Sequence, residues 1–185
     1  LRPFSWFNYH EPDKGTFSIE VAHTAFIDTL EYDNFHDYFA LLSSTRKQEF
    51  KRAGNSNLII RTNENIKDFI NLFKMTFDKQ NHALDNLYLE TVQRVVEKSV
   101  DAGIAKLDII YNKENIPLSA TVFINDGKTS NYLHGASNPE YRNTGASTFL
   151  IMKNIEQCFN NKINFINLLG VNSPARGYFK TSFNA

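Results

Sequence analysis

The amino-acid sequence predicts a mixed α+β domain, in the broad α/β class, and three observations carry that expectation. First, the chain from residue 58 onward switches repeatedly between apolar residues in alternation and apolar residues at helical spacing. Second, an Asp126-Gly127 pair separates two strand-like runs, the signal of a hairpin. Third, the stretch from Tyr132 to Asn160 passes from a strand-like run, through a polar loop with Pro139, Arg142 and Gly145, to a helix with Phe149, Met152, Ile155 and Phe159 on one face.

The composition suits such a domain. The 185 residues are 42% hydrophobic and 22% charged, which allows a sizeable core. No apolar run approaches the ~20 residues that span a bilayer, and no leader of secretory type is seen, so a cytoplasmic protein is expected. Twenty basic residues balance twenty acidic ones, which argues against a general attraction for nucleic acid or anionic lipid. Cys158 is the single cysteine, and its place in a helical pattern beside Phe159 predicts a buried thiol. His10, His23, His36, His82 and His134 are scattered without the close pairing of a zinc site, so no metal is expected. The chain begins at Leu1 and stops at Ala185 without an ending signal, which suggests a piece of a longer protein.

In chain order, residues 2–15 are dense in aromatics without a period. Trp6, Phe7 and Tyr9 are expected to cover an apolar neighbour, with His10 and Glu11 as alternative lining for an acceptor pocket. Residues 16–28 predict a strand, and Asp33 predicts the cap of a helix carrying Phe35, Tyr38, Phe39 and Leu42. The basic segment 45–52 reads as a solvated helix face, with phosphate contact as the alternative. Gly54 to Asn57 predicts a linker, which places a boundary between residues 1–57 and 58–185. Beyond it come a strand at 58–61, helices at 66–77 and from Asp85 to a stop at Gly103, strands at 104–111, 117–124 and 130–136, the helix described above, and a strand at 163–169.

The loop before the 149–159 helix is where a site is expected. The first N–H groups of a helix have no intrahelical partner, so N–H groups, helix dipole and Arg142 together would suit a phosphate or pyrophosphate. The element order and this loop resemble the GCN5-related N-acyltransferase (GNAT) superfamily, and more closely its Fem-like branch. The superfamily loop is Arg or Gln, two residues, Gly, one residue, then Gly or Ala. Arg142, Asn143, Thr144, Gly145, Ala146 and Ser147 reproduce it, with Ser147 at the last small position, where its hydroxyl could cap the helix. The end of the chain, with Phe179, Lys180 and Phe183, looks like the closing block of Fem-like and polysaccharide-cluster acyltransferases.

The resemblance covers residues 58–185 and implies a GNAT-like, mostly antiparallel sheet flanked by helices, with residues 1–57 as part of a companion lobe. The superfamily domain continues with two more strands, so either those are missing or the strand at Phe17 to Ile27 pairs in their place. The implied reaction moves an acyl group, most often from acetyl-CoA or another acyl-CoA as co-substrate, to a small-molecule primary amine. An amino sugar of a surface polysaccharide is the acceptor in this reading. The alternatives are a Fem-like transferase taking its donor from aminoacyl-tRNA to lengthen a peptidoglycan bridge, and a silent GNAT-fold binding module. No nucleic acid is expected except as that tRNA. Residues 142–147 would hold the cofactor, and backbone N–H groups at Leu133 to Ala136 would hold the donor carbonyl. His134 is the expected general base, with Glu140 behind it, and Tyr178 the expected proton donor to the leaving thiolate. Arg176 and Lys180 would sit on the surface or against an anionic group.

Overall fold

In the computed structural model, residues 23–79 and 84–185 are described. One six-stranded sheet organises them: β1 (Phe26–Asp28), β2 (Ile59–Thr62), β3 (Ala105–Tyr111), β4 (Pro117–Asn125), β5 (Thr129–Ser137) and β6 (Phe165–Asn167), in the order β1-β6-β5-β4-β3-β2. Every neighbouring pair is antiparallel except β5 and β6. The mostly antiparallel sheet flanked by helices is therefore the expected one. Of the two ways of completing it, the structure has the N-terminal one: β1 pairs with β6 through Phe26 and Asn167, Ile27 and Ile166, Asp28 and Phe165.

The helices divide between the two faces because strand side chains alternate. Leu107, Ile109 and Tyr111 of β3, with Ala120 and Val122 of β4, point to one face, where α3 (Ile66–Asp78) and α4 (Asn86–Asp101) supply Phe69, Leu72, Phe73, Val92 and Val96. The opposite face is covered by α5 (Ala146–Asn160), which brings Leu150, Ile151, Met152 and Ile155 against Ile110, Leu118, Phe123 and Tyr132. The helices α1 (Phe35–Leu41), α2 (Ser44–Gly54) and α6 (Pro174–Thr181) cluster on that same side. Cys158 is buried there as expected, and burial pushes its thiol up.

Several boundaries differ from the sequence reading. The cap of α1 is Asn34, not Asp33: its carboxamide oxygen accepts from the N–H groups of His36 and Asp37 at 2.8 and 3.2 Å. The basic segment is a helix, as expected, but Arg46 is only 7% exposed, because it is bonded on one side to α5 and on the other to α6. The stretch around Gly54 to Asn57 is a turn after α2. The residues before it share the sheet and the core with those after it, so α1, α2 and β1 complete the fold rather than standing apart. Finally, β6 ends at Asn167 instead of Leu169. Leu169 and Gly170 both take left-handed φ values, 47° and 48°, and turn the chain away. The aromatic run at residues 2–15, the start of the first expected strand, and His82 lie outside the described residues.

One charged group is sealed between the sheet and α5. Asp108, 2% exposed, accepts from Thr62 of β2 at 2.6 Å and from the Asn154 carboxamide of α5 at 3.0 Å, and it pairs with Lys106 at 2.8 Å. A buried carboxylate persists only with such partners, and removing it strands the groups that face it. Asp108→Ala is therefore expected to cost about 3 kcal/mol of stability. In urea unfolding this appears as a lower midpoint at unchanged slope; a midpoint equal to wild type would show that the three partners find water instead.

Candidate functional site in the gap between β5 and β6

The site is built by the way the parallel pair comes apart. β5 and β6 are in register only at Thr129 and Phe165, Ser130 and Ile166, and Asn131 and Asn167. At the last of these the two side chains join, the Asn167 carboxamide donating to Asn131 Oδ1 at 3.2 Å. Asn167 Oδ1 also accepts from the backbone N–H of Leu169 at 3.0 Å and from the Thr24 hydroxyl, so it holds the turn that follows. The chain then pairs outward, Leu168 N–H donating to Ala25 at 2.8 Å and Val171 N–H to His23 at 3.0 Å. β5 continues as far as Ser137, with β4 as its strand partner there.

A bulge sets which atoms of β5 face the gap. The β4–β5 register slips between Val122 and Phe123, so that Tyr132 opposes Phe123, His134 opposes Val122, and Leu133 is the extra residue. Past the bulge, Asn138 N–H donates to Leu118 at 2.8 Å. Antiparallel pairs alternate, so Ala136 and His134 also bond to β4 while Gly135 and Ser137 turn their N–H groups away from it. The Ser137 N–H goes to the Thr76 hydroxyl of α3 at 2.9 Å. The Gly135 N–H has no partner among the described residues and faces away from β4, on the β6 side. Glycine is required there: a β-carbon on residue 135 would collide with the Tyr132 hydroxyl.

Lys180 brings a positive charge to the same place. α6 presents its ammonium to the Leu169 carbonyl at 2.6 Å on one side of the gap, 5.2 Å from the centre of the Tyr132 ring on the other. α6 is itself latched. The Arg46 guanidinium lies 4.7 and 5.2 Å from the ring centres of Phe179 and Phe183 and donates to Ser182 at 2.8 Å, and the Tyr38 hydroxyl donates to the Phe183 carbonyl at 2.6 Å.

The residues singled out from sequence fall in three places. His134 is on β5 at the level of the gap, but its ring faces α3, 5.2 Å from the ring centre of Phe73 and 6.2 Å from Phe69, and burial lowers its pKa. Tyr178 is on α6, on the other side of the sheet, and is 78% exposed. The structure does not bring the two together. Glu140 lies in the 3-10 turn Pro139–Thr144, where its N–H caps onto Asn138 at 3.0 Å. Arg142 and Asn143 are exposed in the same turn, and Thr144 donates back to the Tyr141 carbonyl at 2.6 Å.

Gly145 has the left-handed φ of 79° that lets the turn run directly into α5. It also packs against α2, where a β-carbon on residue 145 would stand 2.5 Å from the Glu49 carbonyl oxygen. Thr148, in the first turn of α5, donates to the Glu49 carboxylate at 2.6 Å, and Arg46 pairs with that carboxylate. Ala146 is buried, its N–H 3.3 Å from the Thr144 hydroxyl. The Ser147 hydroxyl does not cap the helix but meets Ser119 of β4 at 2.9 Å. The start of α5 thus already holds a carboxylate, which the helix dipole favours. Gly135 falls within the Leu133 to Ala136 stretch whose backbone N–H groups are expected from sequence to hold the donor carbonyl. Asn131, Tyr132 and Asn167 show in the sequence only as alternation and frequent Asn, and their part comes from pairing across the sheet.

A family model described as the FemAB family matches residues 90–185. The chain belongs to the FemAB family. Comparison with curated proteins by sequence gives no match. Among solved structures, FemX superposes with a TM-score of 0.71 at 12% identity over 86% of this chain and 57% of FemX. L-PGS from Bacillus licheniformis gives 0.53 at 6% over 81% of this chain and 45% of its own. A tandem GNAT protein from the clavulanic acid biosynthesis pathway gives 0.54 at 9% over 88% and 51%. These likenesses show the fold, a GNAT-like, Fem-related one. This FemAB chain spans little more than half the length of FemX. Among its described residues, no helix is long and apolar enough to cross a membrane.

The environment of His134 gives a pH dependence. Its folded pKa lies below the unfolded value of about 6.5 because burial disfavours the charged ring. Above pH 6.5 both states are neutral and the stability is fully present. Below it the unfolded chain takes up a proton first, so stability falls with pH until the folded pKa is passed. The melting temperature is expected to drop between pH 7.5 and 5, and His134→Gln to flatten that slope; an unchanged slope would assign the dependence to other groups.

Proposed function

We propose that this FemAB chain carries the reaction centre of an aminoacyl transferase, moving an activated amino acid from its tRNA ester to a primary amine. The observation that carries the reading is the gap between β5 and β6. It offers the Gly135 N–H, which has no partner among the described residues, and the ammonium of Lys180 beside one strand edge. A carbonyl laid along that edge would find a hydrogen-bond donor and a cation where negative charge develops on its oxygen, with the gap left open for an approaching amine.

The choice of donor rests on the start of α5. A coenzyme A diphosphate needs free N–H groups at the 142–147 loop. Here the Ala146 N–H is taken by the Thr144 hydroxyl, Gly145 is backed by the Glu49 carbonyl, and the Thr148 hydroxyl is given to the Glu49 carboxylate, which leaves less of the first turn for a diphosphate. An ester at the end of a tRNA needs no such cradle in this lobe. The neutral overall charge leaves the grip on the tRNA body to local contacts or to other parts of the protein.

The acetyl-CoA reading keeps one support, Arg142, which is exposed at the turn and has no ion pair among the described residues. Calorimetry separates the two. Acetyl-CoA is expected to give no saturable heat, while total tRNA charged with labelled amino acids loses its label to an amine in the presence of the protein. Lys180→Met is expected to slow that loss by roughly 10²-fold with the fold intact. Saturable acetyl-CoA binding that Arg142→Glu abolishes would replace the aminoacyl donor with a thioester.

A further inference from the structure

Tyr132 is 8% exposed, and its hydroxyl makes no hydrogen bond with any described residue. Among the described residues no fully buried polar side-chain atom lacks a partner, so this hydroxyl is one that solvent still touches. Its ring is fixed, 5.1 Å from the Phe123 ring, with the Lys180 ammonium over one side. Its oxygen stands over Gly135, in the space that any β-carbon at that position would fill. A buried phenol normally finds an acceptor. Among the described residues this one has no acceptor, and it stands over Gly135, whose N–H has none among them either. Burial raises its pKa, so it keeps its proton through the physiological range.

We infer that the Tyr132 hydroxyl is a catalytic hydrogen-bond donor to the oxyanion formed on the donor carbonyl, acting together with the Gly135 N–H. The inference rests on the aminoacyl-ester reading above and adds the residue that stabilises its intermediate. In the step concerned, the lone pair of the neutral amine forms a C–N bond to the ester carbonyl carbon, and the carbonyl π pair moves onto oxygen. Tyr132 and Gly135 bond to that oxygen, and neither gives up its proton. Collapse restores the C=O and breaks the bond to the ribose oxygen, which leaves with the pair and takes up the proton released by the attacking nitrogen. The balance needs no further reactant.

The test needs no knowledge of the acceptor. Two adenosine probes are compared: a 3′-aminoacylamino adenosine, which keeps a planar carbonyl, and an aminoalkylphosphonate ester of adenosine, whose tetrahedral phosphorus carries anionic oxygens. Binding of both is measured on wild type and Tyr132→Phe, a substitution that keeps the ring packing and removes no hydrogen bond; equal melting temperatures confirm the fold. The planar probe is expected to bind both proteins alike, and the phosphonate to lose roughly 10²-fold on Tyr132→Phe, the effect of deleting one such donor. Tyr132→Phe binding the phosphonate as wild type does would remove the role of Tyr132 and leave the donor reading standing. If neither probe binds wild type, the aminoacyl-ester reading fails and the role of Tyr132 goes with it.

Discussion

The parallel pairing of β5 and β6 stops after three residues, and the rest of the site depends on that stop. Parallel strands pair as long as both stay extended. Here Asn167 ends the ladder by bonding across to Asn131 and back to Leu169, and the left-handed Leu169 and Gly170 send the chain towards Ala25 and His23. A non-glycine residue in the left-handed region costs of order 1 kcal/mol, and such residues persist where surrounding bonds determine them. The Lys180 ammonium on the Leu169 carbonyl is one of those bonds. The contact that stabilises the turn therefore also delivers the charge to the gap.

The helices on the α5 side hold this arrangement in place. α6 is eight residues long and has no side-chain cap, so its position comes from Arg46 between two phenyl rings and from Tyr38 on its last turn. Arg46 reaches Thr148 with the same guanidinium, which ties the start of α5 to α6 through α2. Glu49 completes that tie, pairing with Arg46 and accepting from the Thr148 hydroxyl in the first turn of α5.

Much of the fold is legible in the sequence because it follows from local pattern. The alternation of Leu107, Ile109 and Tyr111, the helical spacing of Phe69, Phe73 and Phe77, and the Asp126 turn each identify their element without reference to the rest of the chain. The site is less legible because its parts are long-range. Nothing local distinguishes the buried Arg46 from Lys47 or Lys51, and its burial comes from Thr148 and Ser182, both more than a hundred residues away. His134 and Tyr178 carry the right chemistry by residue type, but the bulge at Leu133 turns His134 to α3, and α6 turns Tyr178 to solvent. Asn167 acquires its part from where the ladder ends, which no single segment encodes, whereas the Gly135 N–H lies in the 133–136 stretch to which the sequence already points.

The central claim is that β5 leaves its edge without a strand partner at Gly135, between the bulge and the contact of Ser137 with Thr76, and amide hydrogen exchange reads it directly. Strand amides bonded to β4, those of His134 and Ala136, are expected to exchange slowly, and the Gly135 amide between them fast. Slow exchange at all three would mean that the gap is closed and that the donor carbonyl has no place along this edge.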